Sequence, residues 1–213
     1  MDNLSGLGNC GAGMTSVFGR YSSDDVRALI DQYPLGWILP ANGPASAGCM
    51  LPLLGEYAPD GSLVSLLGHM SRRNTLVAPL SADPQATILF SGPQGYVSPA
   101  HSGMRDWGPT WNHAQLAVEC VIELQPELTE EAITRLVEIM EPEGQDSWRA
   151  CELGSRYDAM RESIIGFRAS VETVSGRFKL AQDEQPEVLG SILANHPDAA
   201  LVEWMRRMNK GRV

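Results

Sequence analysis

Apolar and polar positions change period several times along the chain. From Ser22 to Tyr33 the apolar residues Val26, Leu29, Ile30 and Tyr33 recur at helical spacing. Ser22 at the N-cap with Asp25 three positions on makes a capping pair, and Pro34 ends the helix. Short apolar runs at 35–39, 49–54 and 62–70 then predict strands, with Ala58-Pro59-Asp60-Gly61 as a turn between the last two. A further strand is predicted at 86–92, interrupted by Pro93 and Gly95 before YVSP at 96–99. The clearest alternation falls in 110–124. Leu116, Val118, Cys120 and Ile122 share one face, whereas Ala117, Glu119 and Val121 make the other face mixed. A half-covered strand follows from that mixture.

The period returns to helical from Thr129. Thr129 is the expected cap, Glu130 and Glu131 suit the first turn, and Ile133, Leu136, Val137 and Met140 form a stripe. IIGFRASVETV and RFKLA read as a strand pair connected at Ser175-Gly176. Two short helices, at about 186–195 and 198–209, finish the pattern, with Pro186 and Pro197 at early helical positions and Leu201, Trp204, Met205 and Met208 on one face. Strands and helices do not alternate regularly, which argues against a Rossmann sheet or a TIM barrel. The expected fold is mainly β with flanking helices (α+β), built around a small closed or partly closed barrel.

Composition narrows the partners. The 213 residues carry 26 acids against 16 Lys and Arg, a formal charge of -10. Between 123 and 146 there are eight acids and only Arg135 as a base, a local charge of -7. That balance argues against an extended nucleic-acid groove, which needs clustered positive charge. Cys10, Cys49, Cys120 and Cys151 have no compact metal-ligand or CxxC spacing. Cys49 and Cys120 sit among apolar residues and are expected to be buried. No basic segment precedes an apolar run at the start, and no apolar stretch reaches membrane-spanning length, so a cytoplasmic protein is expected.

Several segments carry candidate chemistry. Gly6, Gly8 and Gly11 satisfy GxGxxG, but only five residues precede them, too few for the strand that a dinucleotide fingerprint requires. Arg72 and Arg73 leave a strand after His69 and Met70, where two guanidinium groups can bind phosphate or form a solvated turn. The segment 92–116 is dense in Trp, His, Ser, Thr and Asn and can either surround a flat ligand or cover the core. His101 and His113 lack metal-ligand spacing, and no serine lies in a GxSxG elbow. Arg177 and Lys179 fall on one side of an extended segment. None of these side chains is a redox centre, so electron transfer would need a cofactor.

GHMSRRN at 68–74, ILFSGPQGYVSP at 88–99, GPTWNH at 108–113 and GRFKLAQ at 176–182 together resemble the PaiB family of FMN-binding negative transcriptional regulators. The resemblance implies a split β-barrel of the pyridoxamine-phosphate-oxidase-like type and a homodimer with FMN near the subunit interface. It points to His69, Met70, Arg72, Arg73, Ser98, Thr110, Trp111, Asn112, Lys179 and Gln182 as cofactor-binding candidates, with Arg72 the first choice for the phosphate and Lys179 meeting ligand from the same or the partner subunit. The resemblance covers roughly residues 22–200, and the chain is expected to divide into a flexible Gly-rich lead-in at 1–20, the barrel domain at 21–182 and a helical extension packed on the barrel at 183–213. Thr75-Leu76, SPAHS at 98–102 and Cys49-Met50-Leu51-Pro52 depart from the family pattern. A flavin oxidoreductase and a flavin-free interaction domain therefore stay open beside a regulatory flavoprotein. Direct DNA binding is disfavoured, because 183–213 holds five acids and four bases.

Overall fold

A computed structural model describes residues 16–142, 144 and 147–212. In chain order its strands are β1 (Leu35–Pro40), β2 (Cys49–Tyr57), β3 (Leu63–Ser71), β4 (Gln85–Val97), β5 (Thr110–Leu124) and β6 (Ile164–Lys179). Its α-helices are α1 (Ser23–Gln32), α2 (Val77–Ala82), α3 (Pro99–Ser102), α4 (Thr129–Met140), α5 (Ser155–Glu162), α6 (Pro186–Asn195) and α7 (Ala199–Met208). The strands close into an antiparallel barrel in the order β1-β2-β3-β6-β5-β4.

Closure depends on β6, which pairs with β3 from Ile164 to Ser170 and with β5 from Phe167 to Lys179. Ser175-Gly176, expected as a connection, continues one strand instead. Gly176 offers its N–H to the Tyr21 hydroxyl, and Tyr21 in turn donates to the Val174 carbonyl. A tyrosine thus bridges the backbone where a turn was expected. β4 likewise runs through Pro93 and Gly95, because a register shift between Ser91 and Gln94 absorbs the proline's missing donor.

Alternation fills the barrel. Ile38, Leu53, Leu66, Ile88, Phe90, Leu116, Val118, Phe167 and Phe178 are buried. Cys120 joins them, its thiol pushed up to about 12 by burial and then by the Glu172 charge. Cys49 is only half-buried, because it lies at the open start of β2. At one end Trp204 of α7 stacks on Phe178 with ring centroids 5.9 Å apart and donates Nε1–H to Gln32 of α1 at 2.9 Å. The capping box predicted at Ser22 and Asp25 forms, and α1 buries Val26, Leu29 and Ile30.

The helix α4 covers part of the outer surface. Leu54 and Leu67 point outwards and are covered by Ala132, with Leu128 and Leu136 beside them. Beside this patch Glu56 accepts from Ser65, Arg168 and Arg135. Thr129 is not the cap: its hydroxyl accepts the Gly166 N–H at 3.0 Å, fastening the helix to β6. Met140, expected on the apolar stripe, is exposed. Of the Gly-rich lead-in, residues 1–15 lie outside the described residues, while Val17–Gly19 form a 3-10 turn.

Candidate functional site

Helices leave one flank of the barrel open. Its outward residues form rows fixed by the strand registers. Met50, Trp37, Leu89, Ala117 and Ser175 lie side by side across β2, β1, β4, β5 and β6. Ser91, Gln115 and Arg177 make the next row, Gln94, His113 and Lys179 another, and Tyr96 faces Trp111 at the edge. Leu35 is 52% exposed, Trp37 45% and Trp111 58%. So many large apolar side chains on one face is unusual for a surface that meets only water.

The face is shaped as well as apolar. Small residues at Ser91, Ala117 and Ser175 leave a depression of about 270 Å³, with Leu89, Gln115 and Arg177 on its rim. A second depression of about 320 Å³ adjoins it around Leu35, Trp37 and Met50. Tyr96 and Trp111 meet edge to face, with centroids 5.9 Å apart.

Two cationic clusters lie at the ends of β3 and β6. On β6, Lys179 donates to the Thr110 hydroxyl and Arg177 lies over the Phe18 ring. His113 holds its proton less readily than usual, first through burial and then through the charges of Arg177 and Lys179. Ser71 ends β3 opposite Ile164 at the start of β6, beyond the last β2–β3 pair, Leu53 with Gly68. Arg72 and Arg73 follow immediately. Arg72 donates Nε–H to the Glu162 carbonyl at 3.0 Å. Among the described residues, Arg72, Arg73, Arg177 and Lys179 form no salt bridge, whereas Arg135, Arg161, Arg168 and Arg207 all do.

The two clusters do not converge within one chain. β3 and β6 are neighbours in the closed barrel, but Ser71, just before Arg72, pairs with Ile164 at the start of β6, whereas Arg177 and Lys179 lie at its far end.

The other candidates fall in several places. His69 points outwards, half-buried, and burial lowers its proton affinity. Met70 and Asn112 face inwards and are 2% exposed, with Asn112 donating to the Met205 sulfur. Ser98 begins α3, where its N–H donates to His101 Nδ1. Gln182 clasps its own turn, accepting from Leu180 N–H and donating to the Phe178 carbonyl around Ala181, whose φ is +66°. Trp107 and Trp111 divide the two roles open to them: Trp107 packs on the core and donates to Glu184, while Trp111 stands on the exposed face. Leu35, Trp37, Met50, Leu89 and Gln115 were not singled out from sequence. Their signal was present, since Leu35, Trp37 and Leu89 are apolar at the non-core parity of their strands.

A closed six-stranded antiparallel barrel flanked by helices defines the split-barrel class. The family model described as "Putative FMN-binding domain" matches residues 14–173, and the chain belongs to that family. Lys179 and Gln182 lie beyond the matched range. No curated protein matches the sequence. Among solved structures, the chain is similar to a flavocytochrome from Azotobacter vinelandii, with 16% identity over 75% of this chain and 68% of that one and a TM-score of 0.55. It is also similar to a conserved hypothetical protein from Mycobacterium tuberculosis, with 14% identity over 78% and 90% of the two chains and a TM-score of 0.52. At these identities the likeness shows the fold. Among the described residues no helix is long and apolar enough to cross a membrane.

Proposed function

We propose that the protein is an FMN-binding flavoprotein of the PaiB type, acting as a homodimer with one flavin held between the open faces at each of two equivalent sites. The observation that carries this reading is the exposed apolar face of Trp37, Met50, Leu89 and Trp111, on a barrel whose β3 and β6 each end in cations without a salt-bridge partner among the described residues. An isologous dimer that pairs these faces can set the end of β3 in one copy against the end of β6 in the other. Arg72 and Arg73 of one copy then approach Arg177 and Lys179 of the second. Such an arrangement repels itself unless an anion lies between them.

The chemistry of the face fits FMN. Arg72 and Arg73 offer guanidinium groups to the phosphate, and Lys179 adds a point charge from the second copy. Leu89 over the small floor of Ser91, Ala117 and Ser175 offers a flat seat for the ring, and Gln115 offers an amide to its polar edge. Trp37 and Met50 extend the apolar surface, which excludes water when a second copy covers it. The bound flavin would supply one- and two-electron chemistry that no side chain here provides.

Regulation through ligand or redox state suits the chain better than operator recognition. Of the basic residues near the C-terminus, Arg207 pairs with Asp25 at 2.6 Å, and Arg212 donates to the carbonyls of Ala181 and Glu184. The apolar side of α7 is buried on the barrel through Leu201, Val202, Trp204 and Met205. Little remains there to support a recognition helix.

The test is an absorbance scan of native protein, mass spectrometry of the released ligand, and titration of the stripped protein with FMN. Saturable binding is expected, weakened about 10- to 100-fold by Arg72→Ala, as befits one charge-assisted bond. Absence of saturable FMN binding overturns the proposal.

A further inference from the structure

Where β4 ends, two histidines meet that the flavin reading leaves unused. His101 closes α3 and His196 follows α6, and their rings lie edge to face with centroids 4.8 Å apart. Each ring is held in one tautomer by a backbone amide. The Ser98 N–H donates to His101 Nδ1 at 3.2 Å, and the Asp198 N–H donates to His196 Nδ1 at 3.2 Å. Both Nδ1 atoms must therefore be bare, which puts the ring proton on Nε2. His196 Nε2–H then donates to the Tyr96 carbonyl at 3.2 Å.

This small cluster ties three elements together. The Ser191 hydroxyl of α6 donates to the His101 carbonyl at 2.9 Å, and a Cβ added at Gly95 would touch both Leu201 of α7 and the His196 ring. Tyr96, whose carbonyl is held, carries its ring onto Trp111 at the edge of the open face.

We propose that His101 and His196 form a proton-operated latch that fixes α3 and the α6–α7 corner to the end of β4, and that acidification opens it and loosens the Tyr96–Trp111 edge. A proton added to either Nδ1 sets a donor against an N–H donor and breaks that hydrogen bond. A second proton sets two imidazolium rings against each other. The neutral form is favoured at His101 by burial and by the neighbouring His196.

Among the described residues, the charged groups on the elements packed here form no salt bridge with either ring. On β4 the group is Tyr96 itself, and on α6 it is Glu187 in the first turn. The Asp198 carboxylate caps α7 by accepting the Leu201 N–H at 3.0 Å. Asp198 and Glu203 act on Tyr33, whose hydroxyl pKa burial raises first. Arg207 of α7 is paired with Asp25.

Hydrogen–deuterium exchange on the full chain, corrected for intrinsic rates, tests the latch. Peptides spanning 94–104 and 192–203 should lose protection below about pH 6, roughly tenfold per pH unit beneath the midpoint, while α4 keeps its protection. His101→Asn leaves an acceptor near the Nδ1 position without a titrating ring, and His196→Gln leaves a donor near Nε2. The double variant, or His101→Asn alone if the double variant does not fold, should show protection in those peptides that no longer varies with pH. An unchanged pH response in a folded variant, or no response in the parent, overturns the latch.

The consequence for ligand rests on the flavin reading, so FMN is titrated separately at about pH 7.5 and pH 5.5. Weaker acid binding in the parent, but not in the variant, is expected. Equal affinity at the two pH values in the parent overturns the coupling to the face. If FMN binds at neither pH while the exchange response persists, the flavin reading fails and the latch stands.

Discussion

Trp37 stands directly opposite Leu89 in the β1–β4 ladder, and both side chains point away from the barrel they help to build. Their strand neighbours Ile38 and Ile88 fill its interior. The two faces of these strands are therefore both apolar, one filling the barrel and the other exposed.

Trp37→Glu should separate the proposed dimer into monomers, read by light scattering after size exclusion. Each monomer should keep its fold, since an exposed substitution changes stability by about 0.5 kcal/mol or less. A dimer that survives this charge on its apolar centre would place the interface elsewhere.

Mixing two defective proteins tests how the site is composed. If Arg72 of one copy and Lys179 of the other serve the same flavin, subunit exchange between Arg72→Ala and Lys179→Ala dimers creates mixed dimers in which one site is intact. Tight FMN binding should return to one site per mixed dimer, measured by titration with equilibrium dialysis. No recovery after confirmed exchange would assign both residues to one chain or neither to the phosphate.

Gly166→Ala should destabilise the protein by at least about 1–3 kcal/mol, the range for overpacking. A Cβ there would lie 2.6 Å from the backbone at Leu128 and Thr129, which cannot swing aside as a side chain can. Chemical denaturation gives the loss, and exchange should show α4 loosening first.

Glu56 gives a pH dependence of known sign. Burial alone would raise its pKa, but hydrogen bonds from Ser65, Arg168 and Arg135 outweigh burial and lower it below the usual carboxylate value. The unfolded chain thus takes up the proton first as pH falls. The contribution of Glu56 is present above its unfolded pKa, near 4.5, and is lost as pH falls through the lower folded value. Glu56→Gln should reduce stability at neutral pH by about 1–3 kcal/mol and flatten this part of the acid profile. Denaturation midpoints collected from neutral pH to about pH 3 check both.

The sequence made the barrel legible where a single period governed a segment. Leu116, Val118, Cys120 and Ile122 alternate through the interior as their spacing required, and the Ser22–Asp25 box begins α1. Local signals misled where a distant residue overruled them. Ser175-Gly176 looked like a turn, but Tyr21 braces that backbone from more than a hundred residues away. Thr129 looked like a cap, but Gly166 claims its hydroxyl. The cationic clusters were visible as Arg72-Arg73 and Arg177-x-Lys179. The apolar platform was not, because it is assembled from single residues on five strands, each ordinary in its own segment.

The long strand at the seam also dictates an order of events during synthesis. β3 meets its second partner only through pairs such as Ser65 with Ser170, about a hundred residues later in the chain. At 5–20 residues per second, the ribosome takes roughly 5–20 s to deliver that partner. Over this interval the outer edge of Leu63–Ser71 has no strand beside it. Nascent chains would be most prone to pair wrongly with one another at that edge, and a chaperone that shields it would act before the final strand emerges.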